Sequence, residues 1–144
     1  MTADFFRLLI KNALTGFQIT KVNEVVSAMD AFQAMHAGTF DLLLVDYQML
    51  EINGVEFIRH VRWSPEVVPD LTIPIIMVTD FAERSVVVKA RETGVNEFIG
   101  KPLEHIDLYN RILSAVHSPR SFVFSSDYRG PDRGPISGGC ILAT

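Results

Sequence analysis

The stretch Phe40-Asp-Leu-Leu-Leu-Val-Asp46 decides the fold. Its aliphatic core, Leu42 to Val45, has no polar face, which is the pattern of a strand in a parallel sheet covered on both sides. The run ends on an aspartate. An acidic side chain there adds nothing to the core, but it stands where open α/β sheets collect their ligands, outside the carboxyl ends of the strands. Two later stretches repeat the pattern with other endings. Pro74-Ile-Ile-Met-Val-Thr79 stops on a hydroxyl, and Glu97-Phe-Ile-Gly-Lys-Pro102 stops on an ammonium.

Outward from these strands the periodicity becomes helical. Phe5, Leu8, Leu9, Ala13 and Leu14 form one apolar stripe of a first helix that stops at Gly16. Residues 19–23 alternate and read as a short strand. Ser27 to Ala37 is a second helix, Gly54 to Trp63 a third, Glu83 to Thr93 a fourth and Glu104 to His117 a fifth. Residues 64–74 form a proline-bounded loop. Strands alternating with helices make an α/β class with a parallel sheet. Two regions follow: a domain over residues 1–117 and an extension over residues 118–144. The extension is expected to be mostly flexible, because Arg129-Gly-Pro-Asp-Arg-Gly-Pro135 and Ser137-Gly-Gly139 do not sustain regular structure. Within it Phe122-Val-Phe124 reads as one strand.

The bulk properties exclude several roles. A net charge of -4 with no basic run argues against nucleic-acid binding. A single cysteine, Cys140, rules out an intrachain disulfide and fits a reducing compartment. No stretch reaches membrane-spanning length, and Met1-Thr-Ala-Asp4 does not open a secretory signal. The expectation is a cytoplasmic protein.

Asp46, Thr79 and Lys101 thus stand at three strand ends. A carboxylate can be a nucleophile towards a phosphoryl donor. An ammonium and a hydroxyl can hold the transferred oxygens. With these motifs the chain resembles the receiver domain of bacterial response regulators, over residues 3 to 117. Met49 and Gly54 before the third helix belong to the same likeness. The resemblance implies a flavodoxin-like, CheY-like doubly wound parallel sheet of strand order 2-1-3-4-5 with five helices. It implies Asp46 as phosphoacceptor, Lys101 and Thr79 as phosphate-binding residues, and Thr79 with Phe98 as the switch pair. It further implies Mg²⁺ held in part by Asp46 and the backbone carbonyl of Gln48. The partners implied are a histidine kinase or phosphotransfer protein, and a downstream protein that reads the fourth helix, the last strand and the fifth helix. Gln48 and Phe81 occupy positions that tune loss of the phosphoryl group. The role implied is phosphorelay signalling by a single-domain regulator, not an enzyme. The tail, with Arg120-Ser-Phe-Val and Tyr128-Arg-Gly-Pro-Asp-Arg133, resembles an extension found on some single-domain receivers.

The chain departs from that pattern at its start. The first strand and its closing acidic pair would fall at or before Met1 and Thr2, which are not carboxylates. Without that pair Mg²⁺ binding is expected to be impaired; Asp80, where a small residue is usual, adds bulk and charge that repel a phosphoryl group. A missing central strand must be compensated by an upstream segment of a longer product, by closure of the second strand on the third, or by Phe122-Val-Phe124 entering the gap. That entry could occur within one chain or by exchange in a dimer. Two other functions stay open. One is a pseudo-receiver that binds proteins without phosphorylation. The other is an aspartate-nucleophile phosphatase, which the Tyr47-Gln48 sequence after Asp46 disfavours because it lacks a second acid.

Overall fold

The computed structural model describes residues 3–48, 52–66, 68–79, 84–100, 104–117 and 120–132. In chain order these form α1 (Ala3–Gly16), α2 (Ala28–Ala37), β1 (Leu43–Asp46), α3 (Gly54–Trp63), β2 (Ile75–Thr79), α4 (Arg84–Thr93), β3 (Glu97–Gly100), α5 (His105–His117), β4 (Phe122–Phe124) and β5 (Arg129–Pro131). The main sheet is parallel with order β1-β2-β3. β2 is its centre, and no residue of β2 exposes more than 1 % of its surface. Alternate β2 residues feed two cores. Ile75 and Met77 meet α2, α3 and Ala90 of α4, whereas Ile76 and Val78 meet α1 and α5. This gives the expected doubly wound sandwich: helices on both faces of one sheet.

Residues 19–23 do not form the expected strand. Ile19 and Val22 still pack beside Leu42 and Leu44, and Val25 packs on the opposite core, but no ladder forms. A strand needs a neighbour to receive its N–H and C=O groups, and among the described residues only β2 pairs with β1. For the same reason β1 is shorter than the apolar run that announced it. It is also not buried on both faces: Val45 alone is buried, and Leu43, Leu44 and Asp46 keep partial exposure.

The tail strand does not fill the gap either. β4 pairs antiparallel with β5 in a two-stranded sheet of its own. The strand proposed for exchange is therefore engaged within its own chain, and Arg129–Pro131, expected to be irregular, is its partner. The local pairing closes a short loop, whereas crossing the sheet would close a long one. The intervening Ser-Ser-Asp has turn chemistry. There the Ser125 hydroxyl accepts the Tyr128 N–H at 3.0 Å, and the buried Tyr128 hydroxyl donates to the Pro131 carbonyl at 2.6 Å.

The hairpin covers a buried arginine. Arg62, fully buried near the end of α3, donates from Nε and Nη2 to the Gly94 carbonyl at 3.1 and 2.8 Å. Nη2 also reaches Asn96 Oδ1 at 3.0 Å, and Nη1 reaches the Leu71 and Ile73 carbonyls at 2.7 Å each. The Phe122 ring lies 5.1 Å from the Arg62 guanidinium, and Arg120 donates to the Asn96 carbonyl at 2.9 Å. Gly94, at φ 112°, and Gly130 touch back to back, so a Cβ on either would strike the other strand of chain. This single guanidinium ties α3, the approach to β2 and the α4–β3 turn together.

Burial lowers the pKa of Arg62 from the ordinary guanidinium range to about 10. A cation whose folded pKa lies below its unfolded value bears its burial cost at every pH below the folded value. Relief comes only as pH rises through about 10 and above. Arg62 therefore adds no pH dependence to stability between about pH 6 and 9. Replacing it by methionine keeps bulk but strands the Leu71, Ile73 and Gly94 carbonyls, while Asn96 Oδ1 keeps the Ile75 N–H. Because each unmet buried group costs about 1–3 kcal/mol, Arg62→Met is expected to lower the urea-unfolding free energy by at least about 3 kcal/mol, equally at pH 6 and pH 9.

Candidate functional site

The three strands deliver their last residues to one end of the sheet, and the register fixes the stagger. Asp46 is opposite Val78, and Thr79 is opposite Gly100. The ladder runs one residue beyond β1, since Tyr47 donates its N–H to the Val78 carbonyl at 3.1 Å. Asp46 is half-exposed, and its Oδ1 accepts the Gln48 N–H at 3.0 Å. That bond turns the chain away from the sheet immediately after the carboxylate. Thr79 is wholly buried. Phe98 is opposite Met77 and packs, partly buried, on the core shared by α2 and α3. Lys101 lies outside the described residues, as do Asp80 and Phe81. Gly100, the residue before Lys101, is the ladder partner of Thr79.

The loop after Asp46 is held shut by α3. Gly54 donates its N–H to the Tyr47 carbonyl at 2.7 Å. A Cβ on Gly54 would lie 2.7 Å from the Asp46 carbonyl and 2.9 Å from Tyr47 Cα, so only glycine lets the helix start this close to the strand end. Asn53 caps α3: its Oδ1 accepts the Glu56 N–H at 2.9 Å, and its Nδ2 donates to Glu56 Oε1 at 3.2 Å. On the other side, the buried Glu97 fastens β3 to α5. It accepts the Ser114 hydroxyl at 2.6 Å and lies 3.5 Å from Arg111 Nη1.

The match to known proteins is consistent with this arrangement. The profile of the response regulator receiver domain matches residues 3–113. The chemotaxis protein CheY of Pseudomonas aeruginosa is 32% identical over 96 residues, which are 67% of this chain and 75% of that protein. This chain belongs to the response regulator receiver family. A putative response regulator from Chloroflexus aurantiacus superposes with a TM-score of 0.73 at 25% identity, covering 80% of this chain and 91% of that one. The cyclic di-GMP phosphodiesterase response regulator RpfG of Xanthomonas campestris is 36% identical over 91 residues, which are only 23% of its length.

Receivers are signalling modules of bacterial two-component systems, and they meet histidine kinases or phosphotransfer proteins and downstream targets. As a family they bind Mg²⁺. Asp46 and Gln48 are joined here by the bond from the Gln48 N–H to the Asp46 carboxylate. Among the described residues no group of three histidine, cysteine, aspartate or glutamate side chains could hold a metal ion. No helix among the described residues is long and apolar enough to cross a membrane.

Two positions of the receiver escaped the sequence reading. Arg62 follows Ile58 by four residues, on the apolar face of α3, where a charged residue signals buried hydrogen bonding. Asn53-Gly-Val-Glu56 carries the spacing of a capping box. Gly54→Ala is expected to destabilise the receiver by about 1–3 kcal/mol through the forced shift at Asp46. Asn53→Ala should cost about 1 kcal/mol. Thermal or urea melts of the two variants check both values.

Proposed function

We propose that this chain is a single-domain response regulator that accepts a phosphoryl group on Asp46 and signals by binding a protein. What supports the reading is the parallel register, with Asp46 opposite Val78 and Thr79 opposite Gly100, the residue before Lys101. An Asp46 carboxylate oxygen attacks the phosphorus of a phosphohistidine. The P–N bond breaks, its electron pair stays on the imidazole nitrogen, and an aspartyl phosphate remains. The Thr79 hydroxyl and the Lys101 ammonium hold oxygens of the transferred group. Phe98, on the neighbouring strand, carries the change outward. Mg²⁺ would be held in part by Asp46 and the Gln48 carbonyl, with water, and would neutralise charge on the transferred group. Asp80 adds repulsion at the same end.

The output face comprises α4, β3 and α5, where Ile106 is 60% and Tyr109 41% exposed. The reading places the protein in the cytoplasm, where its kinase would act. The extra negative charge of Asp80 favours one second reading, a pseudo-receiver that uses this face without phosphorylation.

Acetyl phosphate labelling followed by intact mass spectrometry separates the two. The expected result is slow, Mg²⁺-stimulated addition of one phosphoryl group that Asp46→Asn abolishes. Labelling that survives Asp46→Asn would refute the assignment. A complete lack of labelling at saturating Mg²⁺ would leave the pseudo-receiver as the function.

A further inference from the structure

The hairpin carries a second arginine whose situation differs from that of Arg62. Arg129 is the cross-strand partner of Phe124. Its guanidinium carbon lies 4.4 Å from the Trp63 ring centroid and 6.0 Å from that of Phe124. Two aromatic rings thus flank the group. Its Nε is buried without an acceptor. No described residue forms a hydrogen bond or ion pair with its side chain. The nearby acid Asp127 is taken up in the turn, 2.9 Å from the Ser125 hydroxyl. The residue stays partly exposed, so its guanidinium is within reach of a ligand at the surface.

A guanidinium fork fits a carboxylate in two parallel hydrogen bonds, and such planar recognition is what distinguishes arginine from lysine. Beside the fork lies apolar surface with no cover. Phe124 is 59% exposed, its ring centroid is 4.7 Å from that of Phe122, and Val123 is partly exposed. Tryptophan, arginine and exposed aromatic side chains are the residues that dominate protein interfaces. A small anion would use the fork and gain nothing from Phe124. An acidic peptide with an apolar neighbour uses both.

We propose that Arg129, Trp63 and Phe124 form a docking site for an acidic, aromatic-bearing segment of a partner protein. The site is at the end of the sheet opposite Asp46. Trp63 closes α3, which runs back from the Asp46 end, and the hairpin abuts Gly94, which precedes β3. The receiver can therefore engage this partner and the kinase at the same time, and the inference does not depend on phosphorylation of Asp46.

Trp63 is the sole tryptophan of the chain and stacks on the arginine, so its fluorescence reports on the site. The full chain is titrated with three probes: a synthetic peptide alternating glutamate and phenylalanine, the same peptide with glutamine for glutamate, and inorganic phosphate. The acidic peptide is expected to change Trp63 emission saturably, whereas the glutamine peptide and phosphate do not. Arg129→Lys keeps the charge but removes the fork, and should weaken the acidic peptide by about tenfold or more. Phe124→Ser should also weaken it, and both variants should keep the wild-type melting temperature within a few degrees. Equal binding by wild type and Arg129→Lys overturns the proposal. So does phosphate binding that Phe124→Ser leaves unchanged, which would make the site one for a small anion. If Arg129→Lys fails to fold, the glutamine peptide and Phe124→Ser decide: unchanged affinity in either comparison overturns the proposal.

Discussion

The rest of the structure hangs on the parallel ladder of β2. Ile75 to Thr79 is hydrogen-bonded on both edges and buried on both faces, and it divides its side chains between the two cores. Parallel strands can be joined only by crossovers, here α3 and α4, so the ladder determines where helices must lie. It also determines where the strands stop. Once Leu43 is set against Ile75, Asp46 and Thr79 are brought to the same end of the sheet, and Gly100 arrives with them. The meeting of these residues at that end is a consequence of register, while Gly54 lets α3 start close to Tyr47 and Asn53 caps it.

The opposite end is organised by another kind of interaction. Arg62, itself fully buried, replaces water for the carbonyls of Leu71, Ile73 and Gly94. A buried cation is costly unless its donors are met. Here five donor contacts meet it, and the hairpin lid excludes solvent. The tail is thus joined to the domain through Arg62, Trp63 and the Gly94–Gly130 contact. One end of the sheet performs transfer chemistry in the proposed role, and the other presents Arg129.

The sequence made some of this legible and concealed the rest, for physical reasons. α3 was readable to the residue, and β2 and β3 to within a residue or two, because a buried strand and an amphipathic helix leave strong period signals. Asp46 and Thr79 were readable as strand ends for the same reason. Residues 19–23 misled because alternation reports a half-buried surface, not the presence of a hydrogen-bonding neighbour. They keep their apolar contacts and make no ladder. Arg129-Gly-Pro131 misled in the other direction, because glycine and proline normally interrupt strands. The hairpin accepts them since Gly130 sits against Gly94. Arg62 was hidden because its role depends on carbonyls nine to thirty-two positions away.

The central claim is that the strand ends of this sheet form a phosphoryl-accepting site around Asp46. Amide chemical shifts in two-dimensional NMR, recorded before and after adding acetyl phosphate with Mg²⁺, test it most directly. The account predicts that the largest changes fall on Asp46, Tyr47, Gln48, Thr79 and Gly100, with Gly94, Asn96 and the hairpin amides unmoved. Changes concentrated on the hairpin and the turn at Gly94, with the strand ends silent, would contradict it.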